Sequence, residues 1–151
     1  MYNPVHIANN FLDRSFKAGS GVTQMKLQKM IYFLYRDYLK ETGLPLFCER
    51  FEAWEYGPVL DIIYNKTKKY GKSPINKYLK YENKATMINE DYDPVLKRHI
   101  DDIWTSCLPF TGVGLSKITH KDGSAWCEAW GKNKRYLEDN SILNENIKVS
   151  I

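Results

Sequence analysis

Ser116 and His120 stand four residues apart, the spacing that makes two side chains neighbours on one helix face. A hydroxyl beside an imidazole is the start of a nucleophile–base pair, and Asp122 follows closely enough in sequence to orient the histidine. Acyl-transfer chemistry would also need an oxyanion hole, and no Gly-x-Ser-x-Gly elbow surrounds Ser116. Capping and helix packing are therefore the expected roles of both residues. The histidines (His6, His99, His120) and cysteines (Cys48, Cys107, Cys127) show neither Cys-x-x-Cys nor His-Glu-x-x-His spacing, so a metal site would need ligands from distant segments. No phosphate-binding loop or dinucleotide fingerprint is present. The pattern predicts no catalytic set, no cofactor and no metal, hence a protein that is not an enzyme.

A second candidate is the stretch YNKTKKYGKSPINKYLKYENK, residues 64–84, with seven lysines and four tyrosines. Basic charge interleaved with aromatics could track a phosphate backbone and stack bases, so a nucleic-acid-binding regulator is the alternative reading. The stretch has no arginine, the side chain suited to bidentate phosphate or base contacts. A solvated lysine face with inward-packed tyrosines is the expectation, and an acidic protein surface would suit the same charges as well as nucleic acid.

The third candidate is FEAWEYGPVL, residues 51–60. Phe51, Ala53 and Glu55 alternate with Glu52, Trp54 and Tyr56, a strand pattern that places two aromatics on one side. Gly57 permits a sharp bend, and Pro58 suits the first position of a helix carrying Val59, Ile62, Ile63 and Lys66. So much aromatic surface at one corner fits a core, a pocket or a docking patch; the whole chain is 14% aromatic, with 11 Tyr and 4 Trp.

The elements around these candidates read as mainly helical. Asn3-Pro4 caps a helix that runs to Ala18 and stops at Gly19. Thr23 caps a second, with Leu27, Met30, Ile31, Leu34 and Tyr38 at helical spacing, stopping before Gly43. Asp93-Pro94 opens another, carrying Leu96, Ile100, Ile103, Trp104 and Cys107. Gly112–Lys121 reads as a shorter helix, Ser124 caps a turn bearing Trp126, and a last helix is expected from Asn144 with Ile147 facing inward. Glu49–Tyr56 is the best strand, with Lys84–Ile88 as its expected partner. Residues 1–151 read as a single domain with a small β element. A hydrophobic share of 43%, a charged share of 26% and a net charge of +4 are ordinary for a globular protein. No signal peptide, membrane span or disulfide framework is visible, so a cytoplasmic chain with reduced thiols is predicted.

Three segments together resemble one family. TQMKLQKMIYFLY, from residue 23, is similar to the Thr-x-x-Lys-Leu-Gln-Lys-Leu-x-Tyr helix of the Panacea domain, the SocA-like antitoxin family, which includes phage-associated proteins. FEAWEYGPV resembles its Glu-Ala-Trp-x-Tyr-Gly-Pro-Val signature, and LSKITHKDGSAW, from residue 115, its Leu-Ser-x-x-Thr-His segment followed by Trp. Met30 stands where the family usually has Leu, and Ala125 where Pro is common. The resemblance implies an antitoxin of bacteria or their phages. Its partner would be a cognate protein toxin from a neighbouring gene, neutralised by direct binding or, in one branch, delivered to a protease. Carried onto this sequence, the motif positions are Lys26, Gln28, Trp54, Tyr56, Gly57, Pro58, Thr119, His120 and Trp126. The surface around Trp54 and Tyr56 is the expected docking site.

Overall fold

The structure, a computed structural model, describes residues 1–150. Helix α1 (Pro4–Ala18) begins where the Asn3 side chain accepts the Val5 N–H at 2.8 Å, and ends at the left-handed Gly19. Helix α2 (Gln24–Thr42) is capped by Thr23, whose hydroxyl accepts the Lys26 N–H at 3.3 Å. Strands β1 (Glu52–Trp54) and β2 (Gly57–Val59) form an antiparallel hairpin with Glu52 opposite Val59, Ala53 opposite Pro58 and Trp54 opposite Gly57. Then come α3 (Asp61–Thr67), an irregular passage over 71–89, and α4 (Pro94–Cys107), capped by Asp93. Helices α5 (Gly112–Thr119), α6 (Ala125–Gly131) and α7 (Asp139–Asn144) complete a mainly α fold with one small sheet, as expected.

Helix α2 is the axis. It packs against α1, α3, α4, α5, α7 and β2, and every residue from Lys26 to Arg36 is buried. A helix enclosed on all sides must bury polar side chains as well as apolar ones, and those polar groups need partners. Arg36 donates to the Glu145 carboxylate (2.7 Å) and to the Ile147 carbonyl (2.6 Å), and the Tyr32 hydroxyl donates to Glu145 (2.8 Å). These bonds lay the C-terminal segment along the helix.

Three expectations are corrected. The third helix starts at Asp61, not Pro58; Pro58 lies inside β2. Ala53, its cross-strand neighbour, turns its N–H away from β2 to the Arg135 carbonyl (2.8 Å), so a proline at that register removes no ladder bond. The strand's further partner is 135–137, not Lys84–Ile88: Glu52 bridges Tyr136, and Leu137 N–H donates to the Phe51 carbonyl (2.9 Å). Lys84 instead closes a tight turn with Tyr81. Finally, the last helix ends at Asn144, where it was expected to begin; Ile147 is half-buried against the core from a non-helical segment.

The passage after α3 is held in place without regular structure. Asn9 donates to the carbonyls of Leu79 (2.9 Å) and Thr86 (2.8 Å) and accepts the Leu79 N–H (2.7 Å). Asn10 does the same for Ile88, accepting its N–H (2.9 Å) and donating to its carbonyl (3.0 Å). Two adjacent side-chain amides on α1 thus take the place of a neighbouring strand.

At the other end of the chain, Glu145 also accepts the Ala125 N–H (3.0 Å), at the first position of α6. Proline suits that position in general, but it has no N–H to give. Ala125→Pro is therefore expected to destabilise the protein by about 1–3 kcal/mol, the cost of leaving a buried acceptor short of a donor. Urea denaturation is the check; an unchanged or higher midpoint would show that the bond contributes nothing.

Candidate functional site

The corner formed by the hairpin is built from its backbone outwards. Glu55 and Tyr56 make the turn, and neither has a positive φ; Gly57, at φ 108°, carries the left-handed conformation that returns the chain. A Cβ on Gly57 would lie 2.6 Å from Thr119 Oγ1 and 2.9 Å from Lys29 Cε, so the glycine is required by space as well as by dihedral.

Four carbonyls of the hairpin each meet a side chain from elsewhere. Trp126 Nε1 donates to the Trp54 carbonyl (2.6 Å), and Ser116 Oγ to the Tyr56 carbonyl (2.6 Å). Lys29 Nζ donates to the Pro58 carbonyl (3.1 Å). His120 places Nε2 2.8 Å from the Glu55 carbonyl and Nδ1 2.5 Å from the Ser116 carbonyl; both oxygens only accept, so a neutral ring donates to one of them and joins the turn to α5 through both only when each nitrogen carries a proton. It also packs edge-on to Trp126 at 3.9 Å between ring centres. Thr119 Oγ1, which backs Gly57, donates to the Ser116 carbonyl (2.6 Å). One residue further along, Gln28 pairs with both backbone groups of Leu60, accepting its N–H (2.9 Å) and donating to its carbonyl (3.0 Å). Helices α2, α5 and α6 thereby fix the main chain from Trp54 to Leu60.

Lys29 is the unusual member. Its side chain is 1% exposed, and no carboxylate lies within ion-pair distance among the described residues. Burial lowers its pKa from 10.5 to about 7. Sequence reasoning passed over this residue. The available signal was the unbroken apolar run Ile31–Leu34, which leaves α2 no solvent side and so encloses the lysine one turn before it.

The sequence-predicted positions separate into two groups. Gln28, Gly57, Pro58, Thr119, His120 and Trp126 converge on the hairpin's main chain. Lys26 stands apart and donates to the Leu108 carbonyl at the end of α4 (3.3 Å). Trp54 and Tyr56 meet the 116–126 segment through their carbonyls and not their rings. The Trp54 ring is half-buried against Tyr64 (4.7 Å), while the Tyr56 side chain is 59% exposed at the tip. Trp130, absent from the sequence-derived set, stacks on Trp126 at 5.2 Å with 47% of its surface exposed. Ser116 and His120 are neighbours on α5 as expected, but the imidazole faces the serine's carbonyl and the hydroxyl is spent on Tyr56.

Residues 27–127 match the family described as "Antitoxin SocA-like, Panacea domain", and the chain belongs to that family. It is 26% identical over 124 residues to the protein named Antitoxin SocA of Caulobacter vibrioides (strain NA1000 / CB15N), a match that covers 80% of this chain and 66% of that relative, just under two thirds of its length. No solved structure matches the chain.

Two outcomes are expected at this corner. Gly57→Val should destabilise the fold by about 1–3 kcal/mol, because a β-branched residue meets both an unfavourable φ and the Thr119 and Lys29 side chains; an unchanged denaturation midpoint would count against it. For Lys29, the unfolded chain binds the proton more readily than the folded one between pH about 7 and 10.5. The cost of burying the ammonium is thus complete below pH about 7 and fades as pH rises, so this group makes stability increase with pH. Burial acts in the opposite sense on Tyr2, Tyr35 and Cys107, whose pKa values are raised from 10.0, 10.0 and 9.0, so the comparison belongs below pH 9. Unfolding free energies measured from pH 7 to 9 should rise more steeply for the wild type than for Lys29→Met. Parallel curves would show that the amine does not titrate there.

Proposed function

We propose that this chain is an antitoxin that neutralises a protein toxin encoded by a neighbouring gene, by forming a stoichiometric complex with it through the hairpin corner. Family membership supports the role. The observation that carries the binding site is the division of labour at the hairpin: four carbonyls are occupied from within, so the turn is rigid and its backbone offers little to a partner. What projects is side chain, namely Tyr56 at the tip, the edge of Trp54 and the exposed face of Trp130. Rigid aromatic groups on a fixed backbone bind with little ordering cost, and such anchors dominate interface energetics. A neutraliser needs nothing more than surplus affinity for the working surface of its toxin.

Co-expression with an adjacent gene whose product is lethal alone is the test. Wild type should restore growth and co-purify with that product. Tyr56→Ser combined with Trp130→Ser should abolish both, weakening binding by about 2 kcal/mol or more, while circular dichroism and melting temperature stay unchanged. Rescue without a detectable complex would favour delivery of the toxin to a protease. Absence of rescue against every adjacent lethal product would refute the antitoxin reading.

A further inference from the structure

Charge is segregated along this chain. Residues 64–84 hold seven lysines and one glutamate; the whole chain has 22 basic and 18 acidic residues, so that stretch carries +6 and the remainder −2. Lys68, Lys69, Lys72, Lys77, Lys80 and Lys84 are all exposed, and among the described residues none pairs with a carboxylate, although the lysines at 17, 97, 132 and 134 do. A solvated face of a globular protein ordinarily mixes signs; this one repels itself and is left uncompensated.

Its backbone is nonetheless fixed. Ile75 N–H donates to the Val22 carbonyl (2.8 Å), Gln24 Nε2 to the Gly71 carbonyl (3.0 Å), and Asn9 clasps Leu79. Ile75 and Leu79 are buried between the lysines. The Lys66 ammonium, from the last turn of α3, donates to the Lys80 carbonyl and ties the passage back to that helix. The backbone that carries these like charges is therefore already ordered, at small further entropic cost to a binding partner.

The tyrosines of the stretch decide between partners. Tyr64 stands edge-on to Trp54, Tyr78 edge-on to Phe16 at 5.0 Å with its hydroxyl on Asp13, Tyr81 edge-on to His6, and Tyr70 lies beneath the Lys69 ammonium. Each ring already has a neighbour within the chain, and only Tyr78 and Tyr81, 39% and 38% exposed, keep surface on which a base could stack, so the platform for single-stranded nucleic acid is limited to two rings. Arginine, the usual reader of phosphate and base edges, is absent from the stretch. Point charges on flexible stems, fixed at their roots, suit long-range attraction to carboxylates spread over a protein surface.

We propose that the 66–84 loop is an electrostatic docking surface for an acidic face of the toxin, speeding encounter before the hairpin corner seats. This rests on the antitoxin reading above and adds the chemistry of the partner. The test uses the full chain, the product of an adjacent gene that is lethal alone, and two charge-reversal variants: Lys68→Glu with Lys69→Glu and Lys72→Glu, and Lys77→Glu with Lys80→Glu and Lys84→Glu. All six side chains are exposed, and thermal melting checks that both variants fold. Association should slow by about tenfold or more in each variant, with dissociation little changed, and the wild-type association rate should fall steeply as sodium chloride is raised. Wild-type complex formation with kinetics indifferent to salt and to both variants would overturn the loop's role and leave the antitoxin reading standing. No complex and no rescue by the wild type would overturn both. A short DNA duplex of random sequence is the second probe: tight, salt-sensitive binding that the variants abolish, beside unchanged toxin kinetics, would assign the loop to nucleic acid instead.

Discussion

A helix covered on every side can keep a polar side chain only if another segment supplies its partner, and α2 is such a helix. Gln28, Lys29, Tyr32 and Arg36 are all buried on it, and each is answered by a different part of the chain. Gln28 takes the start of α3, Lys29 takes β2, and Tyr32 and Arg36 share the tail acid Glu145. Apolar packing alone would hold these segments against α2 without fixing their register, because the hydrophobic effect is not directional. The hydrogen bonds do fix it, since a slip of one residue would leave a buried donor or acceptor alone. The positions of hairpin, third helix and tail are thus consequences of the polar side chains that one enclosed helix is forced to carry.

The same logic explains why three segments far apart in sequence form one signature. The helix supplies Gln28 and Lys29, the hairpin supplies carbonyls and the space left by Gly57, and the later segment supplies Ser116, Thr119, His120 and Trp126. Lys29, Ser116, His120 and Trp126 meet the hairpin's carbonyls, Gln28 holds Leu60 just beyond it, and Thr119 backs Gly57. These contacts fix the main chain of the corner and leave the Tyr56 and Trp130 side chains exposed.

Local chemistry was legible wherever the determining atoms lie close in sequence. Asn3-Pro4, Thr23, Asp93-Pro94 and Ser124 cap the helices they precede, and Gly57 holds the positive φ expected of it. Pro58 was misread because a proline fits both a first helical turn and a strand register that donates no ladder bond. What decides is Ala53 donating to Arg135, a contact the chain makes across most of its length. Lys29 was missed for a related reason. A lysine in an amphipathic helix reads as a surface residue until the wrapping of that helix by six other elements is known. The last helix was placed too late because the tail is positioned by Arg36, far from it in sequence, and not by any periodicity of its own. Among the candidate site residues, the packing role expected of His120 is what the structure has, whereas the exposed Trp130 had no motif to mark it.

One residue near the end of the family match bears on architecture: Ala125, which opens α6. Its N–H is used by Glu145, an acid 2% exposed that also receives Tyr32 and Arg36. Glu145 lies beyond residues 27–127, the part that matches the family. A buried carboxylate bonded by a guanidinium, a phenol and a main-chain N–H has donors enough to be tolerated inside a protein; without the last of these, less of its acceptor capacity is met. The alanine and the tail acid are accordingly two halves of one interaction. A proline at 125 would withdraw one of the donors of Glu145, the acid through which Tyr32 and Arg36 hold the tail against α2.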